Sequence, residues 1–439
     1  MDRQVQLDII KMVHREVVPA TGCTEPVAVA LTTAYAAHIL PGKVQSIRLD
    51  LSANILKNAM GVGIPGTGMI GLPIAVALGA VIADPKKELK VLDGFTPEQF
   101  EVAKKMVEDG IIDISLKVGD VDKLYIEATL EDEEGHKAVA IIEHVHTSLK
   151  SLMLDGKALQ VDGAVQAQCV HDSDTTAGSA SYEGPEVPLT FDMVYDFATQ
   201  MPLSEIDFIL EAARLNKNAS DFSMKGEYGH GVGRMIRGDL GKKYLGDTTY
   251  THLLSATSAA CDVRMDGAPV TVMSNSGSGN QGITATLPVL SFAEDEQVSE
   301  EKKIRALMLS NLMVIYIKQK LGRLSALCGC VVASTGSACG ITYLMGGSRE
   351  QIGFAVKNMV GNLTGMICDG AKPSCSLKVT SGVSSAMLSS LLAMEQKVVT
   401  SNEGVVDDDI DRSIDNLTSI GRDAMTETDK HVLHIMTNK

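Results

Sequence analysis

Cys368 and Cys375 bracket a short polar turn, Gly365-Met366-Ile367-Cys368-Asp369-Gly370-Ala371-Lys372-Pro373-Ser374-Cys375. Asp-Gly and Lys-Pro both break regular structure, so the two thiols stand on a tight loop. A thiol pair held this way points to a metal or redox device rather than to packing. Cys328 lies upstream in Cys328-Gly329-Cys330, and Cys23 lies near the other end of the chain in Thr21-Gly22-Cys23-Thr24-Glu25-Pro26. A fold that uses these sulfurs together must carry both ends of the polypeptide to one place.

Composition limits what such a fold serves. The formal net charge is −16, Trp is absent and aromatic residues make up 4%. Phosphate binding needs a basic face and base stacking needs aromatic platforms, so nucleic acid is not an expected partner. Eight cysteines in 439 residues are not a disulfide framework and suit a reducing compartment. Asp2, Arg3, Asp8 and Lys11 interrupt the N-terminal segment, which lacks the apolar run of a signal peptide. A cytoplasmic protein is expected. Leu324 to Ser348 carries no charge, but it is rich in Gly, Ser, Thr and Cys, which predicts buried helices and no membrane span.

Along the chain, Val5 to Val17 reads as an amphipathic helix. Cys23 then falls just before a helix N-terminus, a position that favours the thiolate; a small buried cysteine in a turn is the plain alternative. Val44 to Ile55 reads as a strand. The glycines from Gly61 to Gly71 match G-x-G-x-x-G twice. Pro65 interrupts the first match, and neither sits in a βαβ unit, so a tight glycine loop near a site is expected rather than a dinucleotide fingerprint. Leu72 to Ile82 reads as a buried helix. From Asp84 the chain is more charged, with a helix at Thr96 to Glu108 and strands at Ile112 to Val118, Tyr125 to Leu130 and Lys137 to His146. His144 and His146 would share one face of the last strand, as solvent-facing residues more than as a metal pair. Asp162 to Pro188, with Cys169 and His171, reads as a linker or mobile loop. Helices follow at Phe191 to Thr199, Ser204 to Asn216, Tyr250 to Arg264, Ile304 to Gln319, Leu321 to Val332, Gln351 to Ile367 and Leu377 to Met394, with Cys328 and Cys330 inside the Leu321 helix.

The fold class expected is α+β: a mostly helical body with a small α+β lobe inserted in its N-terminal half. The divisions fall at 1–83, 84–165, 166–189 and 190–439, with residues 166–189 as the linker. Within the body, Met273 to Gly282 is dense in hydroxyls, amides and glycines. Such backbone at a helix start makes an anion-binding nest, and Asn275, Ser276, Ser278 and Asn280 are candidates for binding a substrate carboxylate; an ordinary flexible loop is the alternative.

Cysteine thiolates hold iron–sulfur clusters. Cys328, Cys368 and Cys375 would supply three, leaving one iron open as a Lewis acid. Four-cysteine zinc normally shows C-x₂-C pairs, which this chain lacks.

These residues resemble a known family. Thr21–Pro26, Pro65–Pro73, Ser276–Gly282, Ala326–Cys330, Met366–Cys375 and Met425–Lys430 together resemble the L-cysteine desulfidases, relatives of the α-chain of iron–sulfur L-serine dehydratases, nearly end to end. The resemblance implies a [4Fe–4S] cluster on Cys328, Cys368 and Cys375, with Cys23 as a catalytic residue or fourth ligand. It implies conversion of L-cysteine to sulfide, ammonia and pyruvate without pyridoxal phosphate. Serine is a close substrate analogue, and a non-catalytic iron–sulfur sensor is the reading from another class. Cys23 and then Lys372 are the candidate bases for the Cα proton. The expected partners are a small amino-acid substrate and further copies of the chain, as a homodimer or larger homo-oligomer.

Overall fold

The computed structural model describes residues 1–119, 121–159, 187–322 and 325–438. In chain order, α1 (Arg3–Glu16) leads through β1 (Pro19–Thr21) to α2 (Thr24–Ile39), β2 (Val44–Leu51), α3 (Ala53–Ala59), α4 (Leu72–Ile82) and α5 (Pro97–Glu108). The strands β3 (Ile112–Leu116), β4 (Tyr125–Asp132), β5 (Lys137–Glu143), β6 (Leu149–Leu154) and β7 (Lys157–Ala158) follow. Then come α6 (Phe191–Gln200), α7 (Leu210–Ser223), α8 (Val232–Arg237), α9 (Asp239–Leu245) and α10 (Thr249–Met265). The short β8 (Thr271–Met273) precedes α11 (Gly279–Asp295), α12 (Glu300–Leu321), α13 (Gly329–Leu344), α14 (Arg349–Leu363), α15 (Cys375–Met394), α16 (Ile410–Ser419) and α17 (Thr426–Thr437). The architecture is α+β.

Two hydrophobic cores form. The smaller one lies under a sheet of order β3-β2-β4-β5-β6-β7, parallel between β2 and β3 and antiparallel elsewhere. Alternate residues of β4 and β5, among them Ala128, Leu130, Ala138, Ala140 and Ile142, are fully buried. They meet α2, a helix apolar on all sides, which in turn packs on α4. Thr32 and Thr33 tolerate this burial because their hydroxyls donate to the carbonyls of Ala28 and Val29.

This core takes residues from Val27 to Leu152, with Leu433 of α17, and crosses the expected boundary at 83/84. The strand β2 lies inside the sheet, between β3 and β4, so the lobe takes in residues assigned from sequence to the helical body. The strand also ends sooner than expected, at Leu51. Ser52 Oγ donates to the Lys123 carbonyl and accepts the Tyr125 N–H, turning the chain into α3. Likewise β5 ends at Glu143, where His144 takes φ +67°, so His144 and His146 do not share a strand face. His144 instead pairs with Asp122 and Glu143. The start of α5 is as expected, with Thr96 and Gln99 forming a reciprocal cap.

The larger core centres on α13, which packs against α11, α12, α14 and α15. Hydroxyls of Ser334, Thr335 and Thr342 donate to carbonyls one turn back, and Ser337 Oγ donates across to the Thr284 carbonyl. The uncharged stretch is thus a core helix of 16 residues, spanning about 24 Å, short of a bilayer's hydrocarbon thickness. Among the described helices, α15 alone is long and apolar enough to cross a membrane by length and composition. Val187 and Leu189 pack into the larger core and Gln319 bonds to both backbones, so the last residues of the expected linker belong to the body. Most of that linker, with Cys169 and His171, lies outside the described residues.

Candidate active site

Two short backbone pairings assemble the site. In the first, β1 pairs antiparallel with β8, aligning Pro19 with Met273 and Thr21 with Thr271. The Ser274 N–H donates to the Val18 carbonyl and the Ser276 N–H to the Glu16 carbonyl, both at 2.9 Å. This ladder carries the Gly22-Cys23 turn against the loop before α11 and the end of α10.

Cys23 is the N-cap of α2, but its side chain makes no capping bond. Its thiol donates to Glu25 Oε2 at 2.9 Å. Burial, then the Glu25 charge, push the thiol pKa well up, against the opposing pull of Arg264. Cys23 therefore rests as a thiol, contrary to the thiolate expected from its place at a helix start. Desolvation and a neighbouring carboxylate outweigh the helix terminus. Asn58 Nδ2 donates to the other Glu25 oxygen at 3.3 Å.

The second pairing is a single bridge between Leu327 and Ile367. The Cys328 N–H donates to the Met366 carbonyl at 2.9 Å and the Cys368 N–H to the Ala326 carbonyl at 2.6 Å. Cys328 and Cys368 thus lie on neighbouring antiparallel backbones. Cys375 begins α15 after the Asp-Gly turn, with its Sγ 3.6 Å from the Gly370 carbonyl. The helix expected over Leu321 to Val332 is not formed: α12 ends at Leu321 with Gly322 as its C-cap, and Cys328 is the N-cap of α13. Similarly α14 stops at Leu363, freeing Met366 to Cys368 for the bridge.

The thiols differ in acidity. A hydrogen bond from the Cys330 thiol pulls the Cys328 pKa down to about 7, against burial and with help from the Cys330 backbone N–H and Lys378. Cys330 keeps its proton, and its Sγ also lies 3.2 Å from both the Lys378 carbonyl and Met366 Sδ. Burial raises Cys368 and Cys375, and each lies within electrostatic reach of Cys328. Buried Cys261 on α10 is in reach of Cys375 and Cys328 too. Cys23 stands apart, facing Glu25 and Arg264. Among the described residues, no three His, Cys, Asp or Glu side chains converge where one metal ion could sit. A cubane cluster asks for something else: its ligands bind different irons and stand apart. Three nearby thiols on two loops, one made more acidic by a neighbouring thiol, fit that demand.

Lys372 Nζ lies 2.6 Å from Asp369 Oδ1, 2.8 Å from the Asp369 carbonyl and 3.2 Å from the Gly370 carbonyl. Lys378 pairs with the same carboxylate. Burial opposes ionisation there, but the two ammonium groups hold Asp369 down at about 2. The glycine loop closes over this turn: the Gly63 N–H donates to the Met265 carbonyl, and Gly61 packs on Lys372.

The expected carboxylate ligands are largely engaged in the fold. Asn275 Nδ2 donates to the Asn311 carbonyl and side chain, and Ser276 Oγ donates to Asn275 Oδ1. Ser278 Oγ caps α11 by accepting the Gln281 N–H. Asn280 Oδ1 accepts from Arg264 Nη1 at 3.1 Å.

Residues 86–434 match the serine dehydratase alpha chain family. The chain belongs to that family. Full-length relatives include a protein of Porphyromonas gingivalis, 66% identical over 100% of both chains, and one of Parabacteroides distasonis, 58% identical over 100% of both. A relative from Oleidesulfovibrio alaskensis is 46% identical over 98% of this chain and 97% of its own. All three are named UPF0597 protein.

Within this serine dehydratase alpha chain fold, several site residues escaped the sequence reading. Asp429, in the Met425–Lys430 segment, forms an ion pair with Lys57, whose side chain is 2% exposed. That lysine lies within electrostatic reach of Cys368, so α17 is tied to the cysteine loop through α3. Arg264 donates to the Gly22 carbonyl at 3.0 Å and so holds the Cys23 turn. A lone cation in the short apolar helix α3, and an arginine ending the small-residue helix α10, were the available signals.

Proposed function

We propose that this serine dehydratase-like chain is a [4Fe–4S]-dependent lyase that carries out β-elimination on L-cysteine, giving sulfide, ammonia and pyruvate. The observation carrying this reading is the Leu327–Ile367 bridge, which sets Cys328 beside Cys368 on the loop that also bears Cys375. Those three residues would hold the cluster. When bound with only three protein ligands, it supplies an open iron that polarises the substrate as a Lewis acid.

The chain's own residues would handle the proton. Cys23 gives up its proton to water as the pH rises, and the thiolate so formed removes the proton from Cα. The Cα–H electron pair becomes the Cα=Cβ bond as the Cβ–S bond breaks, and sulfur leaves with the bonding pair as sulfide. Aminoacrylate remains, tautomerises to the imine and hydrolyses to pyruvate and ammonia. The ties of Lys372 to Asp369 and two carbonyls favour a bracing role for it and leave Cys23 as the base.

L-Serine is the second substrate considered, because the family match is to serine dehydratases. Anaerobic reconstitution followed by assay with both amino acids tests the proposal. Sulfide and pyruvate from L-cysteine support it; pyruvate from L-serine alone favours the dehydratase; no product from either leaves a cluster-bearing sensor. A reducing cytoplasm would suit the free thiols, and a homodimer or larger homo-oligomer would cover Leu377, Leu388 and Leu391, exposed on α15.

A further inference from the structure

Arg264 is 6% exposed, yet no carboxylate among the described residues forms an ion pair with it. A guanidinium has five N–H donors. Two find acceptors, the Gly22 carbonyl at 3.0 Å and Asn280 Oδ1 at 3.1 Å, and Nε is buried without a partner. Both partners are neutral, so no carboxylate bonds directly to the guanidinium; Glu25, which also faces Cys23, bonds to the thiol instead. A buried charge without a bonded countercharge is costly, and an anionic ligand would relieve that cost.

The surroundings narrow what that charge is. Arg264 sits within electrostatic reach of the proposed base Cys23 and of Cys261, one turn earlier on α10. One residue beyond Asn280, Gln281 is also buried with Oε1 unpartnered, and its carboxamide lies against Gly329, next to Cys328. A guanidinium with three of its five donors unused, and an unused acceptor one residue past its Asn280 partner, match the two ends of an amino-acid zwitterion. The candidates named from sequence for this task, Asn275, Ser276 and Ser278, are bonded within the fold, and Asn280 positions the guanidinium instead.

We infer that Arg264 binds the α-carboxylate of the amino-acid substrate, beside Cys23. The inference rests on the lyase reading above and adds the residue that fixes the substrate's orientation. A carboxylate on Arg264 holds Cα at a set place relative to the Cys23 sulfur. It also neutralises the carboxylate that must share the negative charge developing at Cα.

The fold supplies a test that leaves the arginine in place. A Cβ on Gly279 would lie 2.3 Å from Arg264 Nε and 2.6 Å from its Cζ. Gly279 is in the first turn of α11, where alanine is a better helix former, so Gly279→Ala keeps the helix and displaces the guanidinium. Reconstituted wild type, Gly279→Ala and Arg264→Met are compared by kinetics with L-cysteine. Calorimetric titration uses L-alanine, which keeps the carboxylate and lacks a leaving group, and ethylamine, which lacks the carboxylate.

The expected result is wild-type binding of L-alanine weakened about 30-fold or more in Arg264→Met, with KM rising in both variants and cluster absorbance retained. Ethylamine should bind weakly and equally to all three. Unchanged L-alanine affinity in Gly279→Ala together with unchanged KM would overturn the inference, even if Arg264→Met fails to fold. Loss of visible absorbance in Arg264→Met with L-alanine affinity intact would assign the charge to the cluster, which also overturns it. If wild type itself neither binds L-alanine nor turns over either amino acid, the lyase reading fails first.

Discussion

Gly370 offers the sharpest structural test of how the cysteine loop is seated. Its φ is +87°, and a Cβ there would lie 2.1 Å from the Lys57 carbonyl oxygen. Gly370→Ala incurs two costs. Left-handed backbone costs an L-residue about 1–2 kcal/mol. Overlap with a backbone oxygen, which no rotamer change relieves, adds about 1–3 kcal/mol. Gly404→Ala isolates the first: its φ is +75° and a Cβ would meet nothing within 4 Å. Gly370→Ala should therefore be about 3 kcal/mol less stable than wild type, which at a slope of about 3 kcal/mol per M lowers the urea midpoint by about 1 M. Gly404→Ala should lose about half as much or less. Because the clash lifts the Asp369–Gly370 turn off α3, Gly370→Ala should also take up less iron on reconstitution. Equal midpoints for the two variants, with equal iron uptake, would refute the claim that the loop rests on the Lys57 carbonyl.

Three further outcomes are expected. Cys23→Ser should keep the cluster's visible absorbance and lose turnover; loss of absorbance would make Cys23 a ligand instead of the base. Glu25 holds the proton on Cys23 by its charge and hydrogen bond, so Glu25→Gln lowers the thiol pKa. The rise of kcat/KM with pH should then move to lower pH, and an unmoved or alkaline-shifted rise counts against Cys23 as the titrating base. Asp429→Asn leaves the buried Lys57 ammonium without a countercharge and should cost about 3 kcal/mol, the low end for a broken buried pair because Asp429 keeps about a fifth of its exposure. Adding Lys57→Met should recover part of that loss, and a double variant no more stable than Asp429→Asn argues that the pair is not coupled.

What the sequence made legible was local. The buried helix α4 and the capped start of α5 follow from periodicity and from Thr96-Pro97, and the fold has them where expected. The same reasoning ran a helix through Cys328, because Leu321 to Val332 is mostly apolar. What breaks it is the distant backbone of Met366 to Cys368, whose hydrogen bonds to Ala326 and Cys328 leave no trace in composition. The place of β2 inside the sheet was hidden likewise, since its parallel partner β3 lies across three helices in sequence. At Cys23 the local cue misled. Its position before α2 suggested a thiolate, while burial and Glu25 keep the proton on. Arg264 was passed over because an arginine at a helix end reads as ordinary; only the lack of a carboxylate bonded to it among the described residues gives it meaning.

The central claim is that Cys328, Cys368 and Cys375 share one cluster. Iron and acid-labile sulfide analysis with visible and Mössbauer spectra, on anaerobically reconstituted wild type and Cys368→Ser, tests it most directly. The account predicts [4Fe–4S] stoichiometry and broad visible absorbance in the wild type, both lost in Cys368→Ser. Full cluster content in Cys368→Ser, or a wild type that binds no cluster, would contradict it.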